Sequence, residues 1–120
     1  MTITSLTLTD LLEKKCRQSD TALTPAEIAS YLALIGGWHV TDGKVTRTFD
    51  FGNYYETLAF INAIAYVIHA EDHHPELVVT YNRCIVRFDT HSVNGGKGGI
   101  SENDFICAAK VDAIFQQSFA

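Results

Sequence analysis

The sequence HPELVVTYNRCIVRFDTH covers residues 74–91 and predicts a β-hairpin. Two runs rich in β-branched and aromatic residues, 77–81 and 84–90, flank the pair Asn82-Arg83. Asparagine tolerates the left-handed backbone conformation that a two-residue hairpin turn requires. We therefore expect two antiparallel strands that meet at Asn82-Arg83.

A second pair of strands precedes this hairpin. The runs 38–41 and 44–51 alternate between apolar and polar residues, as strands with one buried face do. Asp42-Gly43 lies between the runs and is a favoured two-residue hairpin turn. The apolar residues of the second run share one face, which Arg47 interrupts. The chain is thus expected to contribute four strands in two hairpins.

Three predicted helices surround the hairpins, and each begins at a residue type that caps helix N-termini. These caps are Thr24, Asn53 and Ser101. The first helix should end near Gly36-Gly37, because glycine often follows a helix C-terminus. The second should cover residues 54–70, and the third should run from 102 to about 115.

The predicted order is helix, two strands, helix, two strands, helix (α-β-β-α-β-β-α). This order indicates an α+β fold, a four-stranded antiparallel sheet with helices packed on one face. Residues 24–120 are expected to form a single domain. Residues 1–23 are polar and poorly patterned, with Leu8, Leu11 and Leu12 as a short helical turn.

The helix over 54–70 is apolar on almost every side. Such a helix must be covered on both sides. We expect the sheet on one side and a second copy of the chain on the other. Phe60, Ile64 and Val67 are the side chains that this homo-oligomer should keep from water.

Composition and charge weigh against several classes of protein. The formal net charge is −5 and the basic residues are scattered, which disfavours nucleic-acid binding. No run approaches the roughly 20 apolar residues of a membrane span, and residues 1–10 do not resemble a signal peptide. Cys16, Cys84 and Cys107 form no C-x-x-C pair, which indicates reduced thiols in the cytoplasm. Cys107 is interpreted as a small core residue.

Four of the five histidines lie within residues 69–91. His69 and His73 are four residues apart and share a face if the helix persists. Pro75 disfavours helix at His74, so the helix should stop about there. In the predicted hairpin register His74 lies opposite His91, with Cβ atoms about 5 Å apart. The hairpin is thus expected to gather three histidines at one edge of the sheet.

A histidine cluster of this kind suits acid–base chemistry. The unperturbed side chain has a pKa of about 6.5, so it donates and accepts protons near neutrality. Two or three histidines around one pocket supply an acid and a base in a single turnover. Asp104 begins the last helix and is expected to close over the site on a flexible loop.

Other interpretations of these residues remain open at this point. The segment from His69 to His73 nearly matches two zinc motifs, but these require glutamate at position 70 or at position 72. We therefore expect no metal. The histidines can also be surface residues at a helix end. His39 is interpreted as structural.

Two further candidate motifs, for phosphate binding and for covalent catalysis, are incomplete. The run Gly95-Gly96-Lys97-Gly98-Gly99 lacks the Ser or Thr that follows lysine in a phosphate-binding loop, and it predicts a mobile loop instead. No serine or cysteine stands in an evident nucleophile motif, so covalent catalysis is not expected.

Several fixed spacings over residues 69–104 together resemble the pterin-4a-carbinolamine dehydratases. A looser resemblance covers residues 24–115. The motifs are His69-x-x-x-His73-His74-Pro75, Tyr81-Asn82, Thr90-His91 and Gly99-Ile100-Ser101-x-x-Asp104.

The resemblance implies a hydro-lyase that removes water from 4a-hydroxytetrahydropterin and gives quinonoid dihydropterin, as part of tetrahydropterin recycling. It implies no metal or organic cofactor and a homodimer or homotetramer.

Site roles follow from the same resemblance. His73 and His91 would be the acid–base pair, and His74 would help to hold the pterin beside Pro75. Asp104 would orient a histidine. His69 stands where members of the family often have a carboxylate.

A second hypothesis makes the chain a non-catalytic module that binds pterin or a protein partner, as some family members do in transcription. Its apolar second helix would then be a partner surface. The intact set of His73, His74 and His91 favours the enzyme.

Overall fold

One antiparallel sheet of four strands organises the protein, whose computed structural model describes residues 6–120. The strands in chain order are β1 (His39–Thr41), β2 (Lys44–Asp50), β3 (Glu76–Val79) and β4 (Arg83–Phe88). Their order across the sheet is β1-β2-β4-β3. The central pair, β2 and β4, joins the two hairpins.

Four α-helices accompany the sheet: α1 (Leu8–Glu13), α2 (Pro25–Leu32), α3 (Tyr54–Glu71) and α4 (Glu102–Ser118). The predicted α+β class is confirmed, with the helices on one face of the sheet. Alternate residues of β2 and β4 explain this arrangement, since Val45, Phe49, Val86 and Phe88 are buried while Thr48 is exposed. None of the helices in the described part of the chain is both long and apolar enough to cross a membrane.

The predicted caps begin α2, α3 and α4. The Thr24 hydroxyl accepts a hydrogen bond from the Glu27 N–H at 3.2 Å. The side-chain amide oxygen of Asn53 accepts one from the Glu56 N–H at 2.9 Å. The prediction for α2 is wrong at the other end, because this helix stops at Leu32 instead of near Gly36-Gly37.

A helix also forms where the sequence suggested only a turn around Leu8, Leu11 and Leu12. Thr7 and Asp10 form a capping box at the start of α1. Leu11 is fully buried in the main core, and α1 packs on α4. Residues ahead of position 24 therefore contribute to the core.

The inward face of α3 packs on the sheet. Phe60 and Ile64 are fully buried, and the Phe60 ring lies 4.7 Å from that of Phe49 on β2. The expectation that Phe60, Ile64 and Val67 would be covered by a second copy is therefore wrong. The opposite face of α3 exposes other apolar side chains, Tyr55 at 81% and Tyr66 at 75%.

Arg47 interrupts the apolar face of β2 because it has a partner on α4. Its guanidinium forms an ion pair with Asp112. It also lies over the rings of Phe49 and Phe115, at 4.6 and 5.3 Å from their centroids. A half-buried arginine is tolerated here because both its charge and its flat face are used.

The first hairpin has the predicted register, with Val40 opposite Val45 and Asp42 and Gly43 at positive φ. The second does not, because Leu77 lies opposite Val86. The pairing of His74 with His91 is therefore wrong. Continued beyond Glu76, the observed register would set His74 opposite Asp89.

Contacts from outside the hairpin explain this shifted register. The turn covers residues 80–83, and the Thr80 N–H donates to the Arg83 carbonyl at 2.9 Å. The Phe51 N–H binds the Asn82 carbonyl at 2.8 Å, and the Thr57 hydroxyl binds the Tyr81 carbonyl at 3.1 Å. Asn82 is not at positive φ. The ends of β2 and α3 thus stabilise a turn that is shifted by one residue, with Tyr81 and Asn82 at its centre instead of Asn82 and Arg83.

Candidate active site

An open cleft of about 430 Å³ lies where the C-terminus of α3, the end of β4 and the N-terminus of α4 meet. Three of the predicted site residues line it: His73, His74 and His91. Helix α3 ends at Glu71, and Asp72 follows in the left-handed conformation. The chain therefore turns sharply before His73 and directs residues 73–75 toward the sheet edge.

His73 is fixed by a buried carboxylate. Its Nε2 lies 2.6 Å from Oδ1 of Asp104, whose side chain is fully buried. The His73 ring is parallel to the ring of Phe88, with centroids 5.9 Å apart, and is 13% exposed. These contacts fix both the position and the orientation of the imidazole. Asp104 lies beneath His73, so the expectation that it closes over the site is wrong.

Asp104 is held in turn by the start of its own helix. Its Oδ2 accepts hydrogen bonds from the Ser101 N–H at 2.9 Å and from the Thr90 hydroxyl at 3.0 Å. The Thr90 and Ser101 hydroxyl oxygens are 2.7 Å apart, which completes a buried chain of hydrogen bonds. One residue therefore serves as the capping-box acid of α4 and as the partner of His73.

The other two histidines of the cleft are largely exposed. His74 is 72% exposed, and its Nε2 lies 3.4 Å from Oδ1 of Asp72. His91 is 88% exposed, and its Nε2 lies 3.6 Å from Oδ1 of Asp89. Each has a carboxylate within ion-pair distance, and neither is held as firmly as His73.

His69 and Pro75 do not line the cleft. His69 is exposed on the last turn of α3, and Pro75 is half-buried after the two cleft histidines. Since α3 ends at Glu71, His69 and His73 do not share a helix face.

The wall opposite the histidines is formed by residues 16–19, which we call the arm. All four of these residues line the cleft. The Cys16 N–H donates to Oε1 of Glu71 at 2.8 Å, which attaches the arm to the end of α3. This wall is not predictable from the sequence, because nothing in the local pattern of the arm indicates a binding surface.

Glu71 is a buried carboxylate between the arm and α4. Burial alone would raise its pKa, but the hydrogen bond from Cys16 and the ammonium of Lys110, 2.7 Å away, outweigh burial. The net result is a pKa below its usual value. The charged form of Glu71 therefore stabilises the attachment of the arm.

The cysteines are free thiols. Cys107 is fully buried, as predicted for a core residue, and its Sγ lies 3.4 Å from Sγ of Cys16. This hydrogen bond and burial both raise the pKa of Cys107. Burial likewise raises the pKa of Cys84 to about 11. Such thiols are poor nucleophiles near neutral pH.

Within residues 6–120, no group of three or more His, Cys, Asp or Glu side chains is arranged to hold a metal ion.

The glycine-rich segment after His91 contains a 3₁₀ turn, Asn94–Gly96. Two backbone hydrogen bonds between Thr90 and Gly99, at 2.8 and 3.1 Å, close its base.

Sequence comparison identifies relatives of this chain. The family model for pterin 4 alpha carbinolamine dehydratase matches residues 21–114. A protein of Bdellovibrio bacteriovorus, provisionally named pterin-4-alpha-carbinolamine dehydratase, is 59% identical over 112 residues, 93% of each chain. A Nitrosomonas europaea protein of the same provisional name is 48% identical over 111 residues, 89% of this chain and 95% of its own.

Structural comparison gives the same class of protein. A crystal structure from Brucella melitensis, described as a transcriptional coactivator/pterin dehydratase, superposes with a TM-score of 0.71 at 34% identity. The match covers 78% of this chain and 98% of that one. The fold is thus that of a pterin dehydratase-like protein. The chain belongs to the pterin-4-alpha-carbinolamine dehydratase family.

Proposed function

We propose that the protein dehydrates 4a-hydroxytetrahydropterin to quinonoid dihydropterin, in tetrahydropterin recycling, by acid–base catalysis with histidines. The observation that carries this proposal is the contact between His73 and the buried Asp104 at the wall of a cleft shared with His74 and His91. Loss of water from carbon 4a requires a proton on the departing oxygen and removal of the proton on N5. Two histidines supply both transfers without a metal.

The hydrogen bonds of Asp104 support His73 as the base. Its Oδ2 accepts from Thr90 and Ser101, so Oδ1 remains to accept from His73 Nε2–H. In this tautomer Nδ1 of His73 carries the lone pair, which is the reverse of the Ser-His-Asp triad, where the carboxylate binds Nδ1–H and Nε2 is the base. His73 therefore takes the N5 proton.

The acid is then His91. It lies on the exposed side of the cleft, where its protonated form can give a proton to the leaving hydroxyl group. His74 adds a hydrogen-bonding group that holds the pterin ring. Each proton-transfer group is expected to contribute about 10²–10⁴-fold to the rate.

The test is dehydration of synthetic 4a-hydroxytetrahydropterin, followed by ultraviolet absorbance with and without a metal chelator. We expect acceleration over the spontaneous reaction and no effect of the chelator. Stoichiometric zinc in the protein, with activity lost on its removal, would overturn the metal-free mechanism.

A protein-interaction role is the second candidate, and the exposed face of α3 favours it. Tyr55 and Tyr66 present large apolar surfaces there. The Brucella protein is described as a coactivator as well as a dehydratase. We propose self-association through this face as its main use.

A further inference from the structure

The arm is attached to the three segments that carry the proposed catalytic groups. Cys16 is bound by Glu71, two residues before His73. The Ser19 carbonyl accepts from the hydroxyl of Ser92, which follows His91, at 2.6 Å. Hydrogen bonds thus connect the arm to the chain segments that carry His73 and His91.

The third attachment is a two-way contact with α4. The Arg17 N–H donates to Oδ1 of Asn103 at 3.1 Å, and Nδ2 of Asn103 donates to the Arg17 carbonyl at 2.6 Å. Asn103 is buried and immediately precedes Asp104. Its side chain accepts from the N–H of Arg17 and donates to the carbonyl of the same residue, as the backbone of a neighbouring strand would.

We propose that the arm is part of the substrate site, where it contacts the bound pterin and sets its affinity, with Asn103 as the positioning residue. This inference rests on the proposed function. The arm precedes residues 21–114, the part of the chain that the family model matches. Its backbone groups and the side chains of Gln18 and Ser19 offer polar partners to the nitrogen- and oxygen-rich ring.

Cys16 provides a natural reporter of this contact. Its thiol is half-buried in the cleft wall, whereas Cys84 and Cys107 are buried and serve as internal controls. The experiment measures alkylation of each cysteine by iodoacetamide in the full chain, with peptide mass spectrometry, with and without 7,8-dihydrobiopterin. At a ligand concentration about ten times its Kd, mass action should slow alkylation of Cys16 about tenfold.

Substitution of Asn103 separates a positioning role from a general structural one. Asn103→Ala removes both hydrogen bonds to the arm, and we expect KM to rise about tenfold while kcat falls much less. The same variant should show faster alkylation of Cys16 and weaker protection by the pterin. Gln117→Ala, at an exposed position of the same helix, is the matched control and should change none of these values.

A milder variant keeps the test decisive if Asn103→Ala folds poorly. Ser92→Ala removes one exposed attachment of the arm and should raise KM by a smaller factor in the same direction. Unchanged KM in a folded Asn103→Ala protein, or in Ser92→Ala where Asn103→Ala does not fold, would contradict the positioning role.

Binding of 7,8-dihydrobiopterin is measured separately by titration calorimetry. A pterin that binds without protecting Cys16 would overturn the arm inference and leave the proposed function intact. A protein that neither binds the pterin nor accelerates the dehydration would overturn the proposed function, and the inference with it.

Discussion

At the scale of single residues, the buried carboxylate of Asp104 fixes His73, the side chain proposed for proton transfer. Both oxygens of Asp104 are occupied, one by His73 and the other by Ser101 and Thr90. The carboxylate is therefore fixed before any substrate arrives. A preorganised partner of this kind needs no rearrangement during the reaction.

Replacement of Asp104 by asparagine tests this arrangement. Asp104→Asn preserves the shape but can set an amide N–H against His73 and so favour the wrong tautomer. We expect kcat to fall by about 10²-fold or more, with a smaller change in KM. Steady-state dehydration kinetics measure both values.

Its control is Asp10→Asn, the same substitution at the same capping-box position of α1. This control variant should retain the wild-type kcat. An Asp104→Asn protein that is folded by circular dichroism and has the wild-type kcat would show that the contact is structural only.

His74 should behave differently from His73, because it is exposed and has only Asp72 near it. A residue that only holds the ring binds the ground state and the transition state alike. We therefore expect His74→Ala to raise KM up to about tenfold, with little change in kcat. A tenfold change in KM corresponds to the free energy of about one hydrogen bond. His39→Ala, on β1 and outside the cleft, should leave both values unchanged. A fall in kcat as large as that for a proton-transfer group would assign His74 to the chemistry instead.

At the scale of elements, the local signals in the sequence predict the helix starts and the first hairpin. Thr24, Asn53 and Ser101 cap their helices because capping depends on residues only three positions apart. The turn at Asp42-Gly43 is predicted for the same reason, because it depends on the backbone preferences of these two residues alone. The family resemblance, as well as the clustering of histidines, predicts His73, His74 and His91 as site residues.

The features that escaped prediction depend on distant contacts. The turn at residues 80–83 is stabilised by Phe51 and Thr57, which its own sequence does not reveal. The arm is fixed by Glu71 and Asn103, 55 and 86 residues away along the chain. Long-range hydrogen bonds therefore build much of the cleft wall.

Glu71 joins α3, α4 and the arm, and its pKa makes this junction sensitive to acid. Because the folded-state pKa lies below the usual value of 4.5, the charged form stabilises the fold above that pH. The stabilisation is lost as pH falls below about 4.5 and through the folded-state pKa. We expect Glu71→Gln to lower the free energy of unfolding at neutral pH by about 1–3 kcal/mol.

Urea denaturation from neutral pH to about pH 3 measures this dependence. The Glu71→Gln protein should lose less stability in acid than the wild type does. Glu13→Gln, at an exposed position of α1, should reproduce the wild-type dependence. An equal acid loss in Glu71→Gln and wild type would mean that other carboxylates, such as Glu102, account for it.

At the scale of the whole molecule, the exposed face of α3 predicts self-association. Tyrosine side chains bury roughly 150–250 Å² each when they are covered, so Tyr55 and Tyr66 offer a substantial apolar surface. We expect light scattering at micromolar concentration to give a dimer or tetramer of the 13.3 kDa chain. Tyr66→Glu should reduce the mass, and Ala29→Glu on the exposed side of α2 should not. A 13.3 kDa particle for the wild type would contradict this prediction.

The proposed mechanism requires His73 and His91 to act as one base and one acid on the same substrate. The most direct measurement is kcat for dehydration of 4a-hydroxytetrahydropterin at saturating substrate, for the wild type, His73→Ala, His91→Ala and the double variant. We expect each single variant to lose about 10²-fold or more, and the double variant to lose less than the product of the two, since groups that act as a unit are not additive. Wild-type turnover in His91→Ala would contradict the pairing, and Asp104 or His69 would then be the next candidate for the missing proton transfer.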